Sequence, residues 1–260
     1  MPFYQVGSII YFRFSSLETA GLYHAIFTRH GGISPSPWDS LNFGASVGDD
    51  INRVRQNREK ALALLNLKSE SVYDVYQIHS ADVVVTDRPL LPGEAHIKAD
   101  AIVTNSTGLT LLMRFADCVP IFLFDPIHHV IAIAHAGWMG TVKKIAEQTV
   151  RMMILNFRTK PGDIIAGIGP SIGPDHYSIR NDVVEQLRSS LGSDSDGFMS
   201  QDDGKIYFNL WKANQYILNE VGVEHIEISG ICTNCNLQDW FSHRGEHGKT
   251  GRFGAVMGLR

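Results

Sequence analysis

The chain has 260 residues, 44% of them hydrophobic, and a formal net charge of -4. That length suits one large domain or two modest ones, and the lack of a long basic run argues against a nucleic-acid binder that works by neutralising phosphates. Its three cysteines, Cys118, Cys232 and Cys235, are too few for a disulfide scaffold, and no apolar run approaches the ~20 residues of a membrane span. The first residues lack the basic and then apolar regions of a secretory signal. A reducing, cytoplasmic setting with no membrane partner is expected, in which free thiols serve metal binding or chemistry.

Residues 3–14 read as an N-terminal strand or hairpin arm. A short strand then runs into the Gly/Ser/Pro-rich loop of "FTRHGGISPSPWDSLNFG", which holds Arg29, His30 and Asn42 and has the length of a binding loop. "DDINRVRQNREKALALLNL" predicts a helix capped by Asp49 or Asp50. "SVYDVYQIHSADVVVTD" alternates as one or two strands around His79, and "PLLPGEAHIKADAIVTN" ends in another short strand. "VPIFLFD" and "VIAIAHA" are β-rich apolar runs on either side of a turn. "GTVKKIAEQTVRMMILNF" predicts one helix with Thr141 as its N-cap, and "GDIIAGIGPSIGP" a strand entering a turn. Two more helices follow, with Asn181 and Asn209 as caps, then the strand "HIEISGICT" and a final loop and strand. "SSLGSDSDGFMSQDDGK" is a polar excursion too short to mark a domain boundary. Helices and strands mix without a βαβ rhythm, which points to one α/β domain with a substantially antiparallel sheet.

The segment "FADCVPIFLFDPIHHVIAIAHAGWMG" carries the chemistry. A hairpin of residues 118–125 and 130–137 would set Cys118 nearly opposite His135, roughly 4.5–5.5 Å apart at Cβ. A thiolate and an imidazole at that distance can share zinc or copper or form a nucleophile–base pair. His79 supplies a third donor, and three protein ligands with one open position is the catalytic form of a zinc site. Asp117, beside Cys118, is a candidate proton carrier or orienting group. Cys232, Cys235, His243 and His247, spaced C-x2-C-x7-H-x3-H, make a rival metal set. Inert burial of Cys118 and a structural role for the histidines remain open beside these readings.

The ordered pieces "FTRHGGIS", "LNFG", "QIHS", "ADCVPIFLFDP", "AHAGWMGTV", "GIGPSIGP" and "FSHRGEHGKTGRFG" resemble the YfiH family of laccase-domain or polyphenol oxidase proteins, later described as purine nucleoside phosphorylases. The resemblance runs from about His24 to the C-terminus. It implies a single domain spanning 1–260, folded as a layered α/β/β/α sandwich with mixed, largely antiparallel sheets. It also implies a metal site at His79, Cys118 and His135, holding zinc, or copper under the older label. The implied activities are phosphorolysis of adenosine, inosine or methylthioadenosine and deamination of adenosine, with nucleoside and phosphate as small-molecule partners. Asp117 and Cys118 are the catalytic candidates, and Arg29, Asn42 and Arg244 the substrate-binding ones. Met139 stands where such proteins usually carry Arg, "SHRGE" replaces an "SYRRD"-like stretch, and Asp175 and His176 stand where Cys is often found. The competing readings are a copper polyphenol oxidase, a metal-free cysteine amidase using Cys118 and His135, an editing hydrolase of peptidoglycan precursors, and a nucleoside-binding protein without turnover.

Overall fold

The computed structural model describes residues 3–19 and 21–260. A hairpin of β1 (Phe3–Val6) and β2 (Ile9–Phe12) precedes β3 (Leu22–Phe27) and helix α1 (Ile51–Leu64). Asp50 caps α1, accepting from the backbone N–H groups of Asn52 and Arg53. Strands β4 (Val72–Asp74), β5 (Val83–Val85), β6 (Ala101–Thr104), β7 (Thr110–Phe115), β8 (Val119–Asp125) and β9 (Val130–Ala136) come next. Helices α2 (Trp138–Val142) and α3 (Ile145–Phe157), strands β10 (Ile165–Ile168) and β11 (Ser178–Ile179), and helix α4 (Asn181–Leu191) follow. The chain ends with β12 (Met199–Asp202), β13 (Lys205–Phe208), α5 (Leu210–Glu220), β14 (His225–Ile228) and β15 (Phe253–Leu259).

Two six-stranded sheets result, in the orders β1-β2-β3-β15-β7-β4 and β14-β10-β8-β9-β6-β5. Only the pairs β4–β7, β5–β6 and β10–β14 within them are parallel. The period-2 alternation of the strands assigns each face. On β9, Ile131 and Ile133 point into the space between the sheets, while Val130, Ala132, Ala134 and Ala136 point to the helices. Phe115, Phe253 and Met257 from the first sheet meet Phe122, Phe124 and Ile133 from the second in that inter-sheet core. Ala61 and Leu62 of α1 cover the outer face of the first sheet, beside Phe27 and Val256. α3, α4 and α5 cover the outer face of the second through Val150, Met153, Leu187 and Ile217. The layers are thus α/β/β/α, as the resemblance implied. Among the described residues no helix is long and apolar enough to cross a membrane.

Three local expectations differ. The helix expected from Gly140 onward is two helices: Lys144 turns to a φ of 58° between α2 and α3. Thr141 lies inside α2 and donates to the Gly137 carbonyl, and its oxygen accepts from Asn214 of α5. Neither Gly nor Pro marks the break. Asn181 is the first residue of α4 and makes no cap bond, whereas Asn209 caps α5 by accepting from the Lys212 N–H. Finally, β7 runs through "TLLMRF", which gives no alternation because both its faces are covered, and the polar excursion contains β12, paired with β13 in a small third sheet.

Candidate active site

The hairpin forms in the register expected for residues 118–125 against 130–137, although its ladder begins at Val119. Val119 faces Ala136 and Pro120 faces His135, so Cys118 sits just before the ladder and reaches His135 diagonally. His79 belongs to no strand; it lies in the loop between β4 and β5 with a φ of 58°. Even so, one donor atom from each of His79, Cys118 and His135 lies within 4.8 Å of the others. Cys118 Sγ is 3.8 Å from His79 Nε2, and the two imidazole centroids are 4.9 Å apart. His135 is on the inter-sheet side of β9, its ring 5.3 Å from that of Phe115.

Asp100, immediately before β6, organises this cluster. One carboxylate oxygen accepts from His135 Nδ1 at 2.9 Å and the His79 N–H at 3.0 Å. The other accepts from the N–H groups of Ile78 and Ser80 and from the Ser80 hydroxyl. A fully buried carboxylate therefore folds the His79 loop and fixes the His135 ring with Nε2 free. Burial alone would raise its pKa, but the bonds from His135 and Ser80 outweigh this and hold it at about 2. Burial likewise disfavours the Cys118 thiolate, yet His135 and His79 bring the thiol below its ordinary range. His135 is shifted upward against burial by Cys118 and Asp100. Two imidazoles, a thiolate-prone sulfur and an outer carboxylate fit zinc or copper by donor chemistry.

Gly137 explains the end of "AHAGW". A Cβ there would lie 2.8 Å from Cys118 Sγ and 3.2 Å from His79 Cδ2. Gly137→Ala is expected to push those two donors apart and lower metal content, with the far-UV spectrum unchanged. Full metal retention would show that the close approach is not needed.

The cluster opens into a cavity of about 700 Å³, within the range of small-molecule sites. Arg55, Arg58, Arg114, Arg244 and Arg252 line it, together with Trp138 and Tyr177. Asp74 at the end of β4 holds Arg58 at 3.2 Å and Arg114 at 3.0 Å. Arg252 donates to the carbonyls of Thr250 and Gly251 and pairs with no carboxylate among the described residues. Arg244 lies over the Tyr177 ring at 5.2 Å and donates to Ser178.

Asp117 also borders the cavity, with a φ of 80°, a backbone state that costs a non-glycine residue ~1–3 kcal/mol. Its carboxylate accepts from Thr233 Oγ1, Ser242 Oγ and the Arg244 N–H. These bonds tie the loop carrying Arg244 to the start of β8.

Arg29 and Asn42, expected to bind substrate, do not line the cavity. Arg29 pairs with Glu246 at 3.1 Å, donates to the carbonyls of Asp39 and Leu237, and stacks on Phe241. Asn42 is fully buried and bonds Gly44, Asp49 and the backbone of Arg252. Both are polar residues spent on loop structure. Arg29→Ala is expected to lower stability by ~1–3 kcal/mol and leave phosphate saturation unchanged; the reverse pattern would return Arg29 to the site. Nor do His243 and His247 join Cys232 and Cys235, whose neighbours are Asp175 and His176. His243 faces the main cavity instead.

The site is thus a His–Cys–His cluster beneath an arginine-lined cavity in a two-sheet sandwich. The chain belongs to the family described as multi-copper polyphenol oxidoreductase laccase, which it matches over residues 23–260. It is 36% identical to purine nucleoside phosphorylase YlmD of Geobacillus stearothermophilus over 93% of this chain and 91% of that one. It is 34% identical to purine nucleoside phosphorylase YfiH of Escherichia coli over 89% and 91%. The crystal structure of Bacillus licheniformis hypothetical protein YfiH superposes with a TM-score of 0.92 at 32% identity, covering 100% of this chain and 99% of that one.

Proposed function

We propose that the protein is a zinc-dependent purine nucleoside phosphorylase acting on adenosine, inosine or methylthioadenosine. The observation that carries this reading is a single cavity holding both the His79–Cys118–His135 donor set and five arginines. The relatives named purine nucleoside phosphorylase support it. In phosphorolysis a phosphate oxygen bonds to C1′ as the C1′–N9 bond breaks, giving a pentose 1-phosphate and the purine base, which takes up a proton. Arg252 and Arg244 are suited to the phosphate, because a guanidinium fork matches its oxygens and neither is neutralised by a carboxylate among the described residues. Trp138 and Tyr177 offer flat faces to the base. Asp117 holds the Arg244 loop and, with His243, is a candidate to pass the proton.

A zinc ion held by His79, Cys118 and His135 would supply Lewis acidity and lower the pKa of water toward ~7, which is the chemistry that deamination of adenosine needs. Copper accepts the same donors. A metal-free reading keeps Cys118 as nucleophile, favoured by the lowered thiol pKa beside His135 and His79.

Elemental analysis paired with turnover of adenosine and inosine, with and without phosphate, tests these readings. Stoichiometric zinc, and pentose 1-phosphate formed only with phosphate, are expected. His79→Ala, Cys118→Ala and His135→Ala should each lower metal affinity by at least the ~10–100-fold that loss of an outer partner costs, and turnover with it. Full occupancy in all three would sink the metal assignment, and metal-free protein with unchanged turnover would favour the cysteine reading. Asp117→Asn should retain zinc; loss of inosine formation from adenosine would support the proton role, and wild-type deamination would remove it.

A further inference from the structure

We propose that Asp175, His176, Cys232 and Cys235 form a second metal site, separate from the His79–Cys118–His135 cluster, that takes zinc or a similar thiolate-preferring divalent cation. One donor atom from each of the four lies within 4.8 Å of the others. The individual separations are more telling. His176 Nδ1 is 3.1 Å from Asp175 Oδ2, 3.5 Å from Cys235 Sγ and 3.9 Å from Cys232 Sγ, and Cys235 Sγ is 3.8 Å from Asp175 Oδ2. Zinc lies ~2.3 Å from sulfur and ~2.0–2.1 Å from nitrogen or oxygen, so the corners of its tetrahedron are about 3.3–3.8 Å apart. The four side chains already stand near those corners. Two thiolates, an imidazole and a carboxylate complete a closed coordination shell, the form of a structural site.

The backbone builds this arrangement. Beyond the parallel pair β10–β14 the two chains stay together: Ser171 bridges Cys232, the Ser171 N–H donates to the Ile231 carbonyl, and the Thr233 N–H donates back to Ser171. The turn that follows brings the N–H groups of His176 and Tyr177 onto the Gly173 carbonyl. Cys232 Sγ accepts from the N–H groups of Gly173 at 3.1 Å and Cys235 at 3.4 Å. N–H donors aimed at sulfur stabilise a thiolate and orient it, as outer partners of a metal ligand do. Gly173 is required by the approach: a Cβ there would lie 2.7 Å from Asp175 Oδ1 and 3.1 Å from Cys232 Sγ.

The position gives the site a consequence. Tyr177, next to ligand His176, lines the main cavity, and Arg244 donates to the carbonyls of His176 and Ser178. A metal ion at Asp175, His176, Cys232 and Cys235 would staple the turn that forms this wall to the loop after β14. Fixing the turn would fix Tyr177 and the acceptors of Arg244. The inference rests on these four residues alone and stands whatever the main cavity binds.

The test uses the chain's small number of thiols. Cys118→Ala leaves Cys232 and Cys235 as its only cysteines and removes a donor from the other cluster, so any sulfur–metal signal then comes from this site. Adding Co2+ to the reduced, metal-free variant is expected to give thiolate-to-cobalt charge-transfer absorption that saturates at one ion per chain and is displaced by zinc. The band should weaken and need at least tenfold more cobalt in Cys118→Ala/Cys235→Ser, and likewise need at least tenfold more in Cys118→Ala/Asp175→Asn. In the otherwise wild-type chain, Cys235→Ser should lower zinc content by one ion per chain; Cys235 is exposed, so this change spares the core. A reduced Cys118→Ala protein with no sulfur-to-cobalt band, a band of undiminished strength and affinity in Cys118→Ala/Cys235→Ser, or a Cys232–Cys235 disulfide that forms in the presence of excess zinc would each overturn the proposal.

Discussion

Asp100→Ala is expected to be the most damaging single change near the active site. It removes the acceptor for His135 Nδ1 and for the N–H groups of Ile78, His79 and Ser80 in one step. Breaking a buried charged pair from one side costs ~3–5 kcal/mol, because the remaining partners are left desolvated. Here the remaining partners include the loop that presents His79, so metal affinity should fall by ~10–100-fold or more. Asp100→Asn separates the two effects. It keeps the shape but replaces acceptor oxygen with donor nitrogen on one side, so the loop should refold locally while His135 loses its fixed orientation. Equilibrium unfolding and metal titration on both variants check this. Asp100→Ala protein with wild-type metal affinity would mean that the His79 loop holds its geometry without the carboxylate.

The fate of Asp100 illustrates what was legible in the sequence. The layers were readable because "VPIFLFD" and "VIAIAHA" carry apolar side chains toward both faces and the helices carry one stripe each. His79, Cys118 and His135 could be grouped because a hairpin forces two of them together, although the ladder starts one residue later than expected and the contact is diagonal. Asp100 had no such signal. A lone acid before a strand becomes the keystone of a site only through a loop more than twenty residues away. Arg29 and Asn42 lie outside the cavity for the converse reason: polar residues in a long loop resemble ligands in sequence, and these two satisfy the loop's own buried groups. Some of the cavity's cations did leave a trace. Arg114 interrupts the apolar run "TLLMRF", and Arg55 and Arg58 are spaced to share one side of α1.

Asp74→Ala is expected to lower stability by ~3–5 kcal/mol while making the protein more responsive to phosphate. Asp74 is buried; its carboxylate accepts from Arg58 and Arg114 on one oxygen and meets His96 at 2.7 Å on the other. Burial opposes its ionisation, but His96, Arg114 and Arg58 hold it at about 2, below the ordinary 3.8. A carboxyl depressed in the folded state stabilises the fold above its unfolded pKa, and that contribution is lost as pH falls through the folded value. The acid limb of the stability curve between about pH 4 and pH 2 should therefore be shallower in Asp74→Ala than in the wild type. Without Asp74, Arg58 and Arg114 repel each other across the cavity wall. Burial and that repulsion already lower the Arg58 pKa to about 10 with the carboxylate present. Inorganic phosphate entering the cavity would replace the missing anion, and a ligand that binds only the folded state stabilises it in proportion to its affinity. Thermal unfolding in phosphate against chloride at matched ionic strength should therefore show a larger phosphate-induced rise for Asp74→Ala than for the wild type. An equal rise in both proteins would mean that phosphate does not reach Arg58 and Arg114, leaving Arg244 and Arg252 as the anion donors of the cavity.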